Sequence, residues 1–268
     1  MICARTFLNR LVIAAALLAV PLVAGADDAL PHFPPVPDTY ERLLLPVLTD
    51  PVFGAYGSEF WTSLRLTNKQ SGQEAKVYGL EPVCNLSACI GFNLFDQYLP
   101  ITTFIDDTQT TIHYYGTPGW FLYVPKTEVE SLAAHLRVYD VTRAALNHGT
   151  EIPIVRSSEF ISNRIVLTGV PTDPRFRNTL RVYSQSDIDV VVTVEGRAPV
   201  RLSLTGATDI FHPGYAIFTD FPNGNGSVTV TIDVVHGPVE SLVSDAIWAF
   251  ITVTNNETQL ISTITPQP

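Results

Sequence analysis

Val228-Thr229-Val230-Thr231-Ile232-Asp233-Val234 takes turns between apolar and polar side chains along its whole length. A period of two sends one set to each side of an extended chain, so the segment predicts an antiparallel strand with one dry and one wet face. Asn223-Gly224-Asn225-Gly226 lies just ahead. Those residues adopt positive φ cheaply, and the run reads as a hairpin turn.

The same alternation, bounded by Gly, Pro, Asn and Asp, predicts strands over Trp61 to Thr67, Ala75 to Leu80, Ala134 to Tyr139, Thr179 to Ser184, Val190 to Val194, Val200 to Leu204, Ile247 to Thr254 and Leu260 to Ile264. Asn255-Asn256 joins the last two. No stretch after residue 26 sustains apolar residues at i, i+3, i+4 and i+7 with caps at both ends. The best helical segment, Thr127 to Leu136, opens with Thr127 and Glu130 in capping-box spacing, but it runs into β-branched sequence and is expected to give one short turn at most.

Internal similarity points to two units. Ser63-Leu64-Arg65-Leu66-Thr67 precedes a polar turn and the strand from Ala75, and Thr179-Leu180-Arg181-Val182-Tyr183 precedes Ser184 to Asp187 and the strand from Val190. Each reads as a hairpin of one design. Turns every 8 to 12 residues or so suggest sandwiches of the immunoglobulin type or a related topology. The expected fold is all-β: two antiparallel immunoglobulin-like β-sandwich domains over 43–145 and 146–268, joined between Asp140 and Pro174.

Ahead of them, Arg5 and Arg10 precede the apolar run Leu11 to Val23, which ends at Ala24-Gly25-Ala26. A basic start, a short apolar middle and small residues at minus three and minus one predict a signal peptide over 1–26. Residues 27–42 hold Pro31, Pro34, Pro35 and Pro37 and read as an extended arm. The mature chain is expected to be secreted or periplasmic, with no transmembrane segment. Without the leader the chain keeps 14 basic against 26 acidic residues, a formal charge of −12. Scattered arginines on an acidic background exclude nucleic acid as a natural partner, because phosphate binding needs clustered cations. Cys3 leaves with the leader, so Cys84 and Cys89 are expected to form a disulfide in an oxidising compartment. They lack the further ligands of a zinc site.

Catalytic patterns are sparse. Gly-x-Ser-x-Gly is absent, and Ser58 leads directly into a strand, so it reads as a strand-entry residue. His32, His113, His135, His148, His212 and His236 stand apart from one another. Asp106-Asp107 is an adjacent acidic pair within the strand-forming region, and neighbours on a strand face opposite ways. Asp187 and Asp189 could supply two carboxylate ligands where calcium takes six to eight oxygens, and read instead as turn residues. Asn85, Asn225 and Asn256 begin Asn-x-Ser/Thr triplets, which bear on function only in a eukaryotic host. No metal or cofactor is read. Tyr114, Tyr115, Trp120, Phe121 and Tyr123 crowd a segment broken by Gly116, Pro118 and Gly119. Trp120, Phe121 and Tyr123 are expected to fill a core, while Tyr114, Tyr115 and Trp120 are the residues through which a ligand contact would run.

Three phrases, Gly149-Thr150-Glu151-Ile152-Pro153-Ile154-Val155, Pro171-Thr172-Asp173-Pro174-Arg175-Phe176 and Ile247 to Thr258, give the chain its resemblance to a group of uncharacterised secreted bacterial proteins. The resemblance implies fold and location and carries no catalytic or ligand residues. The expected function is an exported, non-enzymatic module that binds an unidentified protein or polysaccharide or serves a structural role. The alternatives are a carbohydrate-binding module and a hydrolase with a site between the two domains.

Overall fold

The computed structural model describes residues 39–47, 52–69, 75–84, 89–99, 104–107, 119–143, 149–207, 212–235 and 245–266, with the backbone alone for 66–68, 75–84, 89–99 and 104–107. In its first half run β1 (Tyr40–Leu45), β2 (Val52–Phe53), β3 (Glu59–Asn68), β4 (Ala75–Cys84), β5 (Cys89–Leu99), β6 (Phe104–Asp107), β7 (Trp120–Pro125), β8 (Leu132–Asp140), β9 (Thr150–Ile152) and β10 (Val155–Arg156). The second half adds β11 (Arg164–Pro171), β12 (Phe176–Ser184), β13 (Ile188–Val194), β14 (Val200–Leu204), β15 (Gly214–Phe218), β16 (Ser227–Val235), β17 (Ile247–Asn255) and β18 (Ile261–Ile264). The fold is all-β and its strand pairs are antiparallel. The helical segment expected after Thr127 is a single 3₁₀ turn, Val129–Ser131, running straight into β8. Among the described residues no helix is long and apolar enough to cross a membrane.

Four sheets result. Their orders are β10-β1-β7-β4-β5, β2-β3-β8-β9 with β6 also on β3, β11-β16-β13-β14, and β15-β12-β17-β18. The last two close over one core. Val230, Ile232 and Val234 point inward from β16, as their alternation requires, to meet Leu180 and Val182 of β12 and Ile247, Ala249 and Ile251 of β17. Burying a Val, Leu or Ile side chain stabilises by about 1.5–3 kcal/mol. Both sheets therefore hold their registers firmly, since a slip by one residue would turn every one of these side chains to water.

The hairpins read from the sequence are corrected by the pairing. β3 and β4 lie in different sheets, as do β12 and β13, and the Gly-Asn turn before β16 leads from β15 across to the opposite sheet. What pairs instead is a nest: β13 with β14, β12 with β15 around them, and β11 with β16 around those. Successive pairs fall in alternate sheets, which is a ribbon wound about the core in the manner of a jelly roll. The first two strands of an immunoglobulin sandwich are neighbours, whereas β11 and β12 face each other across this core.

β17 is buried along eight consecutive residues, Ile247 to Thr254, so both its faces are covered. Trp248, Phe250 and Tyr183 make an aromatic layer on the side away from the sandwich core, with centroids 5.1 Å apart for Trp248–Phe250 and 6.4 Å for the stacked Tyr183–Phe250 pair. N-terminal strands meet this layer. The Tyr183 hydroxyl donates to the Pro46 carbonyl, and a Cβ on Gly119, just before β7, would lie 2.9 Å from the Tyr183 ring. Beyond residue 145, β9 and β10 still pair with β8 and β1. Pro35–Pro268 form one compact unit.

Candidate functional site

The most prominent exposed apolar side chains cluster where β2 turns into β3. Val52 is 52% exposed, Phe53 84% and Tyr56 67%. The intervening residues Ala55–Gly57 form a 3₁₀ turn in which Tyr56, at φ 57°, and Gly57, at φ 74°, are both left-handed. For a tyrosine that backbone costs on the order of 1–2 kcal/mol, so neighbours must hold it.

They do so from below and from both ends. Gly54 N–H donates to the Ser58 carbonyl at 2.8 Å, and Ser58 N–H to the Ala55 carbonyl at 3.2 Å. Phe60 lies under Gly54, where a Cβ would come within 2.5 Å of its ring. A side chain at residue 54 would displace that ring. Arg143, in the 3₁₀ turn Val141–Arg143 after β8, reaches across with Nη2 donating to the Tyr56 carbonyl at 3.1 Å and Nη1 donating to Ser58 Oγ at 2.7 Å. The same Nη1 meets Asp140 Oδ2 at 2.5 Å.

Asp140, at the end of β8, is the anchor, and its side chain has no exposed surface. Burial alone would push its carboxyl up. Hydrogen bonds from Thr142 Oγ1 and Arg143, then from the backbone N–H groups of Thr142 and Glu59, outweigh that and hold it at about 2. The carboxylate is thus charged at neutral pH and committed to Arg143. On the outward side of β3 and β8, Trp61 packs edge-on against Tyr139 at 6.5 Å, and its Nε1 donates to Glu59 Oε1 at 3.0 Å. The arrangement presents rigid aromatic surface and holds its one buried acid ionised and paired, which suits contact rather than proton transfer.

Of the residues singled out from sequence, Tyr114 and Tyr115 lie outside the described residues. Trp120 is 4% exposed in β7, beside Phe121 and Tyr123 at 1% and 2%, with its ring edge-on to His212 at 4.9 Å. Those three fill a core, as expected of them, and the buried Trp120 ring offers almost no surface to a ligand. Cys84 and Cys89 are register partners across β4 and β5. Ser58 is the strand-entry residue, buried and accepting from Arg143. Asp187 accepts from Ala207 N–H at 2.9 Å, and Asp189 pairs with Arg201 at 2.5 Å. Among the described residues no three His, Cys, Asp or Glu stand together to hold a metal ion.

The aromatic loop was missed from sequence, although Gly54 and Gly57 bracketing Tyr56 two residues after Val52-Phe53 were its available signal. Compared with family models, with curated proteins and with solved structures, the chain matches none.

Proposed function

We propose that this chain is an exported, non-enzymatic binding module of the cell surface or periplasm, and that its contact surface is the loop Val52–Tyr56. One observation carries the reading: Phe53 and Tyr56 are 84% and 67% exposed on a backbone tied down by a buried ion pair. Exposed rings on a floppy loop would lose ordering entropy on contact, whereas a preorganised loop has already lost it. Support for export comes from the leader over residues 1–26 and from the placement of the two remaining cysteines. Directly opposed Cα atoms in an antiparallel pair stand roughly 4.5–5.5 Å apart, inside the range a disulfide spans.

The test compares leaderless protein with the double variant F53A/Y56A on uronate-free cell-envelope fractions and on a panel of neutral polysaccharides. Central aromatic anchors are worth about 2 kcal/mol or more, so the variant should bind about 30-fold more weakly with its urea midpoint unchanged. Retention of the variant equal to wild type, or no binding of wild type to any fraction or glycan, would overturn the proposal. Binding confined to polysaccharides would favour the narrower carbohydrate-binding reading, in which the rings stack on sugar faces.

A further inference from the structure

The face of β12 that points away from the sandwich core carries Arg177, Thr179, Arg181 and Tyr183 in succession. Seven other described arginines, Arg137, Arg143, Arg156, Arg164, Arg175, Arg197 and Arg201, stand within 4 Å of a carboxylate. Among the described residues Arg177 and Arg181 do not, and neither do Arg42, which donates to Gln185, and the exposed Arg65. Arg177 donates to the neutral amides of Asn256 at 2.9 Å and Gln259 at 3.3 Å. Arg181 lies over the Phe250 ring at 6.0 Å and has a single hydrogen bond, from Nη1 to Thr252 Oγ1 at 2.7 Å. In a chain of net charge −10, a partly buried guanidinium with most of its five donors unused is poorly balanced by its surroundings. Desolvation lowers its pKa accordingly.

We infer that Arg181 is a carboxylate-binding site, open along the β15 edge, that takes a uronate residue of an acidic polysaccharide. Access lies beside it. Arg181 is itself partly exposed, and its register partner on β15, Ile217, is 46% exposed. The planar fork of a guanidinium matches a carboxylate through two parallel N–H···O bonds. One guanidinium balances the one carboxylate that reaches it. Ile217 offers an apolar edge to the C–H face of a sugar ring. Arg177, four residues along the strand and about 13 Å away, would meet a second charge of the same polymer.

This site is separate from the Val52–Tyr56 loop, and F53A/Y56A should leave uronate binding unchanged. The experiment titrates leaderless protein with an oligogalacturonate, and in parallel arms with galacturonate, a neutral galactose oligomer and inorganic phosphate, by calorimetry and thermal melting. Expected are binding of the oligogalacturonate with a rise in Tm of about 3 °C near saturation, weaker binding of the monomer, and none of the neutral oligomer. R181M should abolish binding while keeping or raising the ligand-free Tm, because it removes an unbalanced charge and keeps the stem; R181K should bind about tenfold more weakly. No binding of the oligogalacturonate, phosphate binding as tight as uronate, or undiminished binding by R181M overturns the assignment. So does an R181M that melts several degrees lower, which would make Arg181 a packing residue.

Discussion

Replacing Asp140 with Asn isolates what the buried ion pair contributes to the aromatic loop. A carboxyl held at about 2 against an ordinary 3.8 corresponds to about 2.4 kcal/mol at neutral pH. The Arg143 side chain is 29% exposed, and screening on that side reduces the figure to about 1.5–2 kcal/mol. The sign follows from the direction of the change. Because the folded-state value is lowered, the stabilisation is complete above the unfolded value near 3.8 and is lost as pH falls through about 2. D140N should therefore unfold about 0.5 M earlier in urea at pH 7, with an unchanged m value, and the gap between wild type and variant should narrow by at least half between pH 4 and pH 2. Hydrogen exchange should show faster opening of Gly54 and Ser58 N–H in the variant, since both belong to the loop that Arg143 secures. A stability gap that stays constant with pH, or no gap at all, would refute the account of Asp140 as a charged anchor.

Gly149, at φ 76°, has Val138 O and Tyr139 Cβ each 3.0 Å from where a Cβ would sit, so G149A should lose about 1–3 kcal/mol in chemical denaturation. W120A should lower stability by about 3–5 kcal/mol yet leave binding through the loop intact wherever the protein is still folded, as measured on the same polysaccharide and envelope panel. Y183F strands the Pro46 carbonyl of a buried hydrogen bond and should cost about 1–2 kcal/mol in urea. Mass spectrometry of a non-reduced digest should find Cys84 linked to Cys89; two free thiols would contradict the export reading.

Strand positions were legible because burial enforces a period of two. Val230, Ile232 and Val234 are buried and Thr229, Thr231 and Asp233 less so, and β17 and β18 form the hairpin expected around Asn255-Asn256. Partners were not legible. The turn residues at Asn223 to Gly226 and at Ser184 to Asp187 report that the chain reverses, and they act equally well between paired strands and across a sandwich. β11 escaped notice because Thr168 and Gly169, at φ 73°, interrupt its alternation at a register shift between Leu167 and Val170. The aromatic loop was hidden for a different reason: the turn at Tyr56 is held by Arg143, 87 residues away, and no local pattern encodes that reach.

β12 lies between β15 and β17 in its sheet, and its register with β17 joins Phe176 to Asn255, 79 positions apart in the chain. Such distant pairing makes assembly slow, and the central layer stays incomplete until the segment from Ile247 onward has emerged from the ribosome. Under the export reading this delay is useful: a polypeptide threaded through a translocation channel must remain unfolded until most of it has passed, and here the keystone strand arrives late.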